Sequence, residues 1–294
     1  MAITESFPRV VLIGTGAAAN AERCHACIAL QTGPAHTLLI DTGSGVEVVR
    51  NLQKAGIELS SIEDVFLSHR HSDHIGGLEL LMLHCGLHAL DTGKHANELD
   101  VYGSALVLDV ARHMINSMGS VAAQLFGQMG ERLDWIPLKP EQGVDVHSGV
   151  HVTPFVVDHA PPDGSCWGCV VEVLRGGRTY RILYSGDTRP TPQLNKHAAG
   201  ADIILHECGG LDANASGVHH VGHSTAGDAA RLATEAGASQ LVLVHLPSHP
   251  SVEELRAEAE LHFRSKNTIA RDLNSFDLVP SALMSGHPRL RSRA

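Results

Sequence analysis

The chain has 294 residues, 43% of them hydrophobic, enough to bury a full core; no Pro/Gly/Ser linker or repeat divides it, so it reads as one domain. Lys and Arg number 22 against 32 Asp and Glu, a formal net charge of −10, and apart from Arg289, Arg291 and Arg293 no basic cluster stands out, which argues against nucleic acid as a partner. Residues 1–8 lack the charged start and long apolar stretch of a signal peptide, no apolar run is long enough for a membrane span, and six cysteines are scattered along the chain, so the expected setting is the cytoplasm, with reduced thiols and no membrane contact.

Taken in chain order, short apolar runs end in polar or Gly residues. Val10-Val11-Leu12-Ile13 precedes Gly14, Leu38-Leu39-Ile40 precedes Asp41, and Val65-Phe66-Leu67 precedes Ser68. The second half repeats the pattern: Ile182-Leu183-Tyr184 before Ser185-Gly186-Asp187, Ile203-Ile204-Leu205 before His206-Glu207, and Leu241-Val242-Leu243-Val244 before His245. Such runs predict buried strands with chemistry just past their ends. Helices are predicted over 45–54, after His74, over 225–236 with the box-like start Thr225-x-x-Asp228, and over 252–264 opened by Ser251-x-x-Glu254. Strands mixed with helices imply a layered α/β architecture. The stretch 104–130 is helical in pattern and bears Met114, Met118 and Met129. It reads equally as a helical insertion serving as a lid, as a homodimer contact, or as plain core packing.

The 21 histidines are the compositional anomaly, and histidine is the commonest metal ligand near neutral pH. Six consecutive residues, His69-Arg70-His71-Ser72-Asp73-His74, follow a predicted strand. The first two histidines can converge on one ion while Asp73 and His74 turn toward a second. A two-metal site needs further ligands from other strand ends, and His159, Asp187 and His245 each occupy one.

In this order, His69-x-His71-x-Asp73-His74, His159, Asp187, His245, the motifs resemble those of the metallo-β-lactamase superfamily over most of residues 9–265. The resemblance implies a four-layer αββα sandwich and two zinc ions, with His69, His71 and His159 on one, Asp73, His74 and His245 on the other, and Asp187 bridging. Manganese, iron or cobalt can occupy the same ligands. Within the superfamily the chain looks most like the ribonuclease Z, aryl sulfatase and phosphodiesterase branch, on Gly14-Thr15-Gly16, Arg23, His206-Glu207 and Gly222-His223-Ser224-Thr225-Ala226. That likeness implies His223 as the acid above the scissile ester, with Glu207 steadying it. A carboxylate that orients an imidazole makes a competent general acid, and Asp73 is assigned the orientation of the attacking water.

The function expected is hydrolysis of a small ester by metal-activated hydroxide, most of all a phosphodiester or aryl sulfate. Lactone, β-lactam or carboxylic ester hydrolysis is the first alternative, and a non-hydrolytic metal-binding or interaction module is another. The third is tRNA 3′ processing of the ribonuclease Z kind. Against it, the Gly/Pro-rich arm those enzymes carry has no room between His159 and Asp187, an interval filled by a turn and two short strands. Cys24-x-x-Cys27 and Cys166-x-x-Cys169 allow a further Cys₄ metal site or redox pairs, with buried thiols as the default.

Overall fold

The computed structural model describes residues 7–93, 98–117, 132–147, 149–160 and 162–278. Within them the apolar runs become strands of two seven-stranded sheets. The first has the order β14-β1-β2-β3-β4-β5-β6, with β1 Arg9–Gly14, β2 Cys27–Gly33, β3 His36–Ile40, β4 Ile62–Leu67, β5 Glu98–Gly103, β6 Arg132–Pro137 and β14 Ser275–Asp277. The second has the order β13-β12-β11-β10-β9-β8-β7, with β7 Val144–Val146, β8 Val150–Val156, β9 Trp167–Arg175, β10 Arg178–Tyr184, β11 Ile203–Glu207, β12 Gln240–Val244 and β13 Lys266–Ile269. In each sheet one half is antiparallel and the other, β3 to β6 or β10 to β13, runs parallel.

Alternation along the parallel strands explains why they read as unbroken apolar runs, since both of their faces are covered. Val65 and Leu67 of β4 face an outer core with α1 (Val46–Lys54), α3 (Leu78–Thr92) and α4 (Ala105–Ser117), whereas Phe66 faces the other sheet. Val242 and Val244 of β12 join that inter-sheet core, while Leu241 and Leu243 pack outward on α5 (Pro192–Ala198), α7 (Ala226–Glu235) and α8 (Val252–His262), the short α6 (Ala215–His220) preceding α7. The layers are therefore helix, sheet, sheet, helix, the αββα sandwich expected. In the stretch 104–130, α4 buries Val107, Leu108, Ala111 and Ile115 in the outer core, and residues 118–130 lie outside the described set. Both expected boxes form: Thr225 caps α7 reciprocally with Asp228, and Ser251 caps α8 with Glu254. No helix among the described residues is long and apolar enough to cross a membrane.

The six cysteines are free thiols in different layers: Cys24 and Cys27 in the first core, Cys169 between the sheets, Cys166 in the outer core of the second sheet. The two Cys-x-x-Cys pairs thus do not meet in one Cys₄ site. Burial pushes the Cys166 thiol up to about 12, which leaves it neutral and unreactive.

Candidate metal centre

The carboxyl ends of the strands converge on one edge of the sandwich, where open α/β sheets commonly place their ligands. His69 lies two residues past β4, and Asp73 and His74 sit on the single-turn helix α2 (Ser72–Ile75) rather than in a loop. His159 follows β8, Asp187 follows β10 and His245 follows β12. Two turns here use the left-handed region. Gly186, φ +59°, has no room for a Cβ, which would meet the Trp167 carbonyl, and His245 itself is held at φ +50°. A non-glycine residue in that region costs on the order of 1 kcal/mol and persists only where its surroundings enforce it.

All seven expected ligands come together. Asp187 Oδ2 is the hub: it lies 3.2 Å from His245 Nε2, 3.4 Å from His74 Nε2, 3.7 Å from His69 Nε2 and 3.9 Å from His159 Nε2. Asp73 Oδ2 is 3.2 Å from His245 Nε2 and 3.6 Å from His74 Nε2, and His71 Nδ1 faces His159 Nε2 at 3.2 Å. Donor atoms of His69, His71 and His159 form one group within 4.8 Å of one another, and those of Asp73, His74 and His245 form another.

These residues fit divalent metal. His69 Nε2, His74 Nε2 and Asp187 Oδ1 are buried without a hydrogen-bond partner, a costly state for polar atoms unless a cation sits among them. Burial, then the neighbouring histidines, pushes His69 down; burial also dominates at His71 and His159, so these rings are neutral with a lone pair to give. At His74 burial opposes protonation, yet Asp187 and Asp41 outweigh it and raise the ring well above its usual value. The site therefore calls for positive charge between His74 and Asp187, which a metal ion would supply in place of the proton. Asp187 is itself held well below the usual carboxylate range, because the charges of His245 and His74 overcome its burial.

Asp41, which sequence reasoning left unassigned, is the main support of this cluster. Fully buried at the end of β3 with φ +60°, its Oδ2 accepts from His74 Nδ1 at 2.8 Å, Ser68 Oγ at 2.7 Å and Tyr184 OH at 2.9 Å, and its Oδ1 accepts from Ser68 N at 2.8 Å. Such contacts fix a ligating ring's orientation and tautomer. His159 Nδ1 is anchored likewise on the Gly222 carbonyl at 2.9 Å.

His223 and Glu207 stand beside this cluster. Glu207, fully buried at the end of β11, accepts on Oε1 from His223 Nδ1 at 3.0 Å, Thr188 N at 3.0 Å and Ser224 N at 3.1 Å. The His223 ring stacks on His245 with centroids 5.5 Å apart and tilts against His159 at 4.9 Å. Burial works against its charged form, but Glu207 prevails, with Asp187 adding to it, and raises His223 to about 9. The His206-Glu207 pair splits, since strand alternation sends Glu207 to His223 and His206 into a small cleft between α5 and α7. An open cavity of about 570 Å³ lies over the site, lined by Ala17, Ala18, Ala19, Ala160 and Val221 beside His71, Asp73, His159, Asp187, His223 and His245.

Comparison with known proteins agrees with this geometry. A ribonuclease Z from Aeropyrum pernix is 27% identical over 284 residues, covering 84% of this chain and 90% of its own. The crystal structure of the metallo-β-lactamase fold protein YhfI from Bacillus subtilis superposes with a TM-score of 0.72 at 22% identity, covering 91% of this chain and 98% of its own. That of human tRNase Z, short form, gives 0.70 at 21% identity, covering 92% and 100%. Relatives named for RNA cleavage weaken the expectation that nucleic acid is excluded as a partner. The family model described as anti-Pycsar protein Apyc1 matches residues 8–267, and on that match the chain belongs to this family, within the metallo-β-lactamase superfamily and its ribonuclease Z-like branch of metal-dependent hydrolases.

Proposed function

We propose that the chain is a dinuclear zinc phosphodiesterase for a small substrate, with His69, His71 and His159 on one ion, Asp73, His74 and His245 on the other, and Asp187 between them. When bound, the two ions supply an acidified water and neutralise charge on the attacked phosphate. The remaining steps fall to side chains. Asp73 Oδ2, close to His245 and His74, orients the attacking water. His223 lines the cavity, and the buried Glu207 carboxylate favours its protonated form. Its Nδ1 is committed to Glu207, so Nε2 delivers the proton to the leaving oxygen.

The observation that carries this reading is the His223–Glu207 pair beside the ligand cluster. An alkoxide leaving group needs that proton, whereas an aryl sulfate already has a good leaving group. The ribonuclease Z relatives also favour a phosphodiester, the linkage that joins RNA. His223→Ala is expected to retain its metal and to lose about 10²- to 10⁴-fold in turnover of an alkyl phosphodiester. The loss should be much smaller for a p-nitrophenyl diester. An equal loss on both would refute the general-acid role.

RNA cleavage is the second reading, favoured by the same relatives, whose match runs through most of the chain. Against it stand the net charge of −10 and the direct β9–β10 hairpin, turned by Gly176 and Gly177, where an RNA-gripping arm would be inserted. A small diester suits the cavity size.

A further inference from the structure

The segment after His159 is tied at two places to the stretch Ser68–Arg70. At its far end Trp167 N donates to the Ser68 carbonyl at 3.0 Å, and the Trp167 indole Nε1 donates to the Gly164 carbonyl at 3.0 Å. In its middle Arg70, between His69 and His71, reaches across: Nη1 donates to Asp163 Oδ2 at 2.5 Å and to Ser165 Oγ at 3.1 Å. Asp163 Oδ1 in turn accepts from Ser165 N at 3.0 Å and Ser165 Oγ at 2.5 Å, so the carboxylate is already oriented toward the guanidinium. Arg70 is not among the residues lining the cavity.

The ligands differ in how they are supported. His74 is held by Asp41, His69 by Ser68 and His159 by Gly222, whereas the half-buried His71 ring, packed edge-on against His69, has among the described residues no hydrogen-bond partner outside the histidine cluster, where His159 approaches it at 3.2 Å. Its placement therefore depends on the backbone it shares with Arg70. We infer that Arg70 and Asp163 form a latch that sets the separation of His71 from His159, and so governs how firmly the three-histidine half of the site retains its ion. Arg70 and Asp163 are positioning residues. The inference rests on the ligand assignment proposed above for His71 and His159.

The test uses the zinc-loaded full chain and follows zinc transfer to a chromophoric chelator in Arg70→Met, Arg70→Lys, Asp163→Asn and His71→Ala, alongside the melting temperature of each metal-free form. Outer contacts of this kind are worth about 10- to 100-fold in metal affinity. Arg70→Met and Asp163→Asn are expected to weaken retention of one of the two ions by about 10-fold or more. Their metal-free melting temperatures should stay close to the parent's, because the pair is partly exposed. Arg70→Lys, which keeps a charged donor, should retain zinc better than Arg70→Met. Parental zinc transfer in the Arg70 and Asp163 variants, with loss in His71→Ala, would overturn the latch alone. So would equal behaviour of the Lys and Met variants, or weakened retention matched by a comparable fall in metal-free melting temperature. Retention in His71→Ala as well would overturn the ligand assignment and the latch with it.

Discussion

Asp41 shows what a single side chain does for the site without touching substrate. It collects His74, Ser68 and Tyr184 on one buried carboxylate, bringing together the ends of β3, β4 and β10 with helix α2. Asp41→Asn would put an amide where three donors converge. It is expected to lower zinc affinity about 10- to 100-fold, read by chelator competition, with the seven ligands unchanged. The motif His69 to His74 was legible because its metal-ligating residue types are packed into six positions after an apolar strand. His159, Asp187 and His245 were legible only as a set, each at a strand end. Asp41 carried the same signal, an acid directly after Leu38-Leu39-Ile40. Nothing local marks it further, and Tyr184, which reveals its role, lies 143 positions away.

At the scale of elements, the start of α7 joins stability to chemistry. Thr225 caps the helix while the preceding Ser224 donates to Glu207, so the cap also fixes the turn that presents His223. Thr225→Ala should cost about 1 kcal/mol, seen as a lower urea midpoint of the metal-free protein. It should also reduce turnover more than Ser251→Ala, whose helix begins away from the site. Both capping boxes were readable because their signal is local, three residues apart. The parallel strands were readable because burial on both faces demands apolar runs. The short β7, β13 and β14 and the mixed β6, Arg-Leu-Asp-Trp-Ile-Pro, gave no such signal, since their pairing is decided by neighbouring strands. Strand ends were also set slightly early: β11 runs through His206 and Glu207, and it is this extension that sends the two side chains to opposite faces.

Across the whole molecule the two sheets are clipped together at the turn between β7 and β8. There His147 of the second sheet meets the first sheet through Nδ1 to Asp64 Oδ1 at 3.0 Å and Nε2 to Glu98 Oε2 at 3.2 Å. The hydrogen bond to Asp64 raises His147 above its usual value against partial burial, with the charges of Asp64 and Asp100 adding to it. A histidine raised on folding contributes its full stabilisation below the unfolded value of about 6.5 and loses it as pH climbs through the folded value. The difference in melting temperature between the parent and His147→Ala should therefore be largest near pH 6 and shrink toward pH 9. A difference that grows over that range would contradict the assignment.

The sandwich brings ligands from both halves of the chain to one edge, so metal should govern activity as a whole. The most direct test loads the chain with zinc, counts bound metal, and compares turnover of a small alkyl phosphodiester, an aryl sulfate, an aryl ester, a lactone, a β-lactam and a precursor tRNA before and after chelation. Close to two zinc ions per chain are expected, with preferred turnover of the small phosphodiester that disappears on chelation and returns with zinc. Turnover confined to the lactone, or phosphodiester turnover that survives full removal of metal, would contradict it.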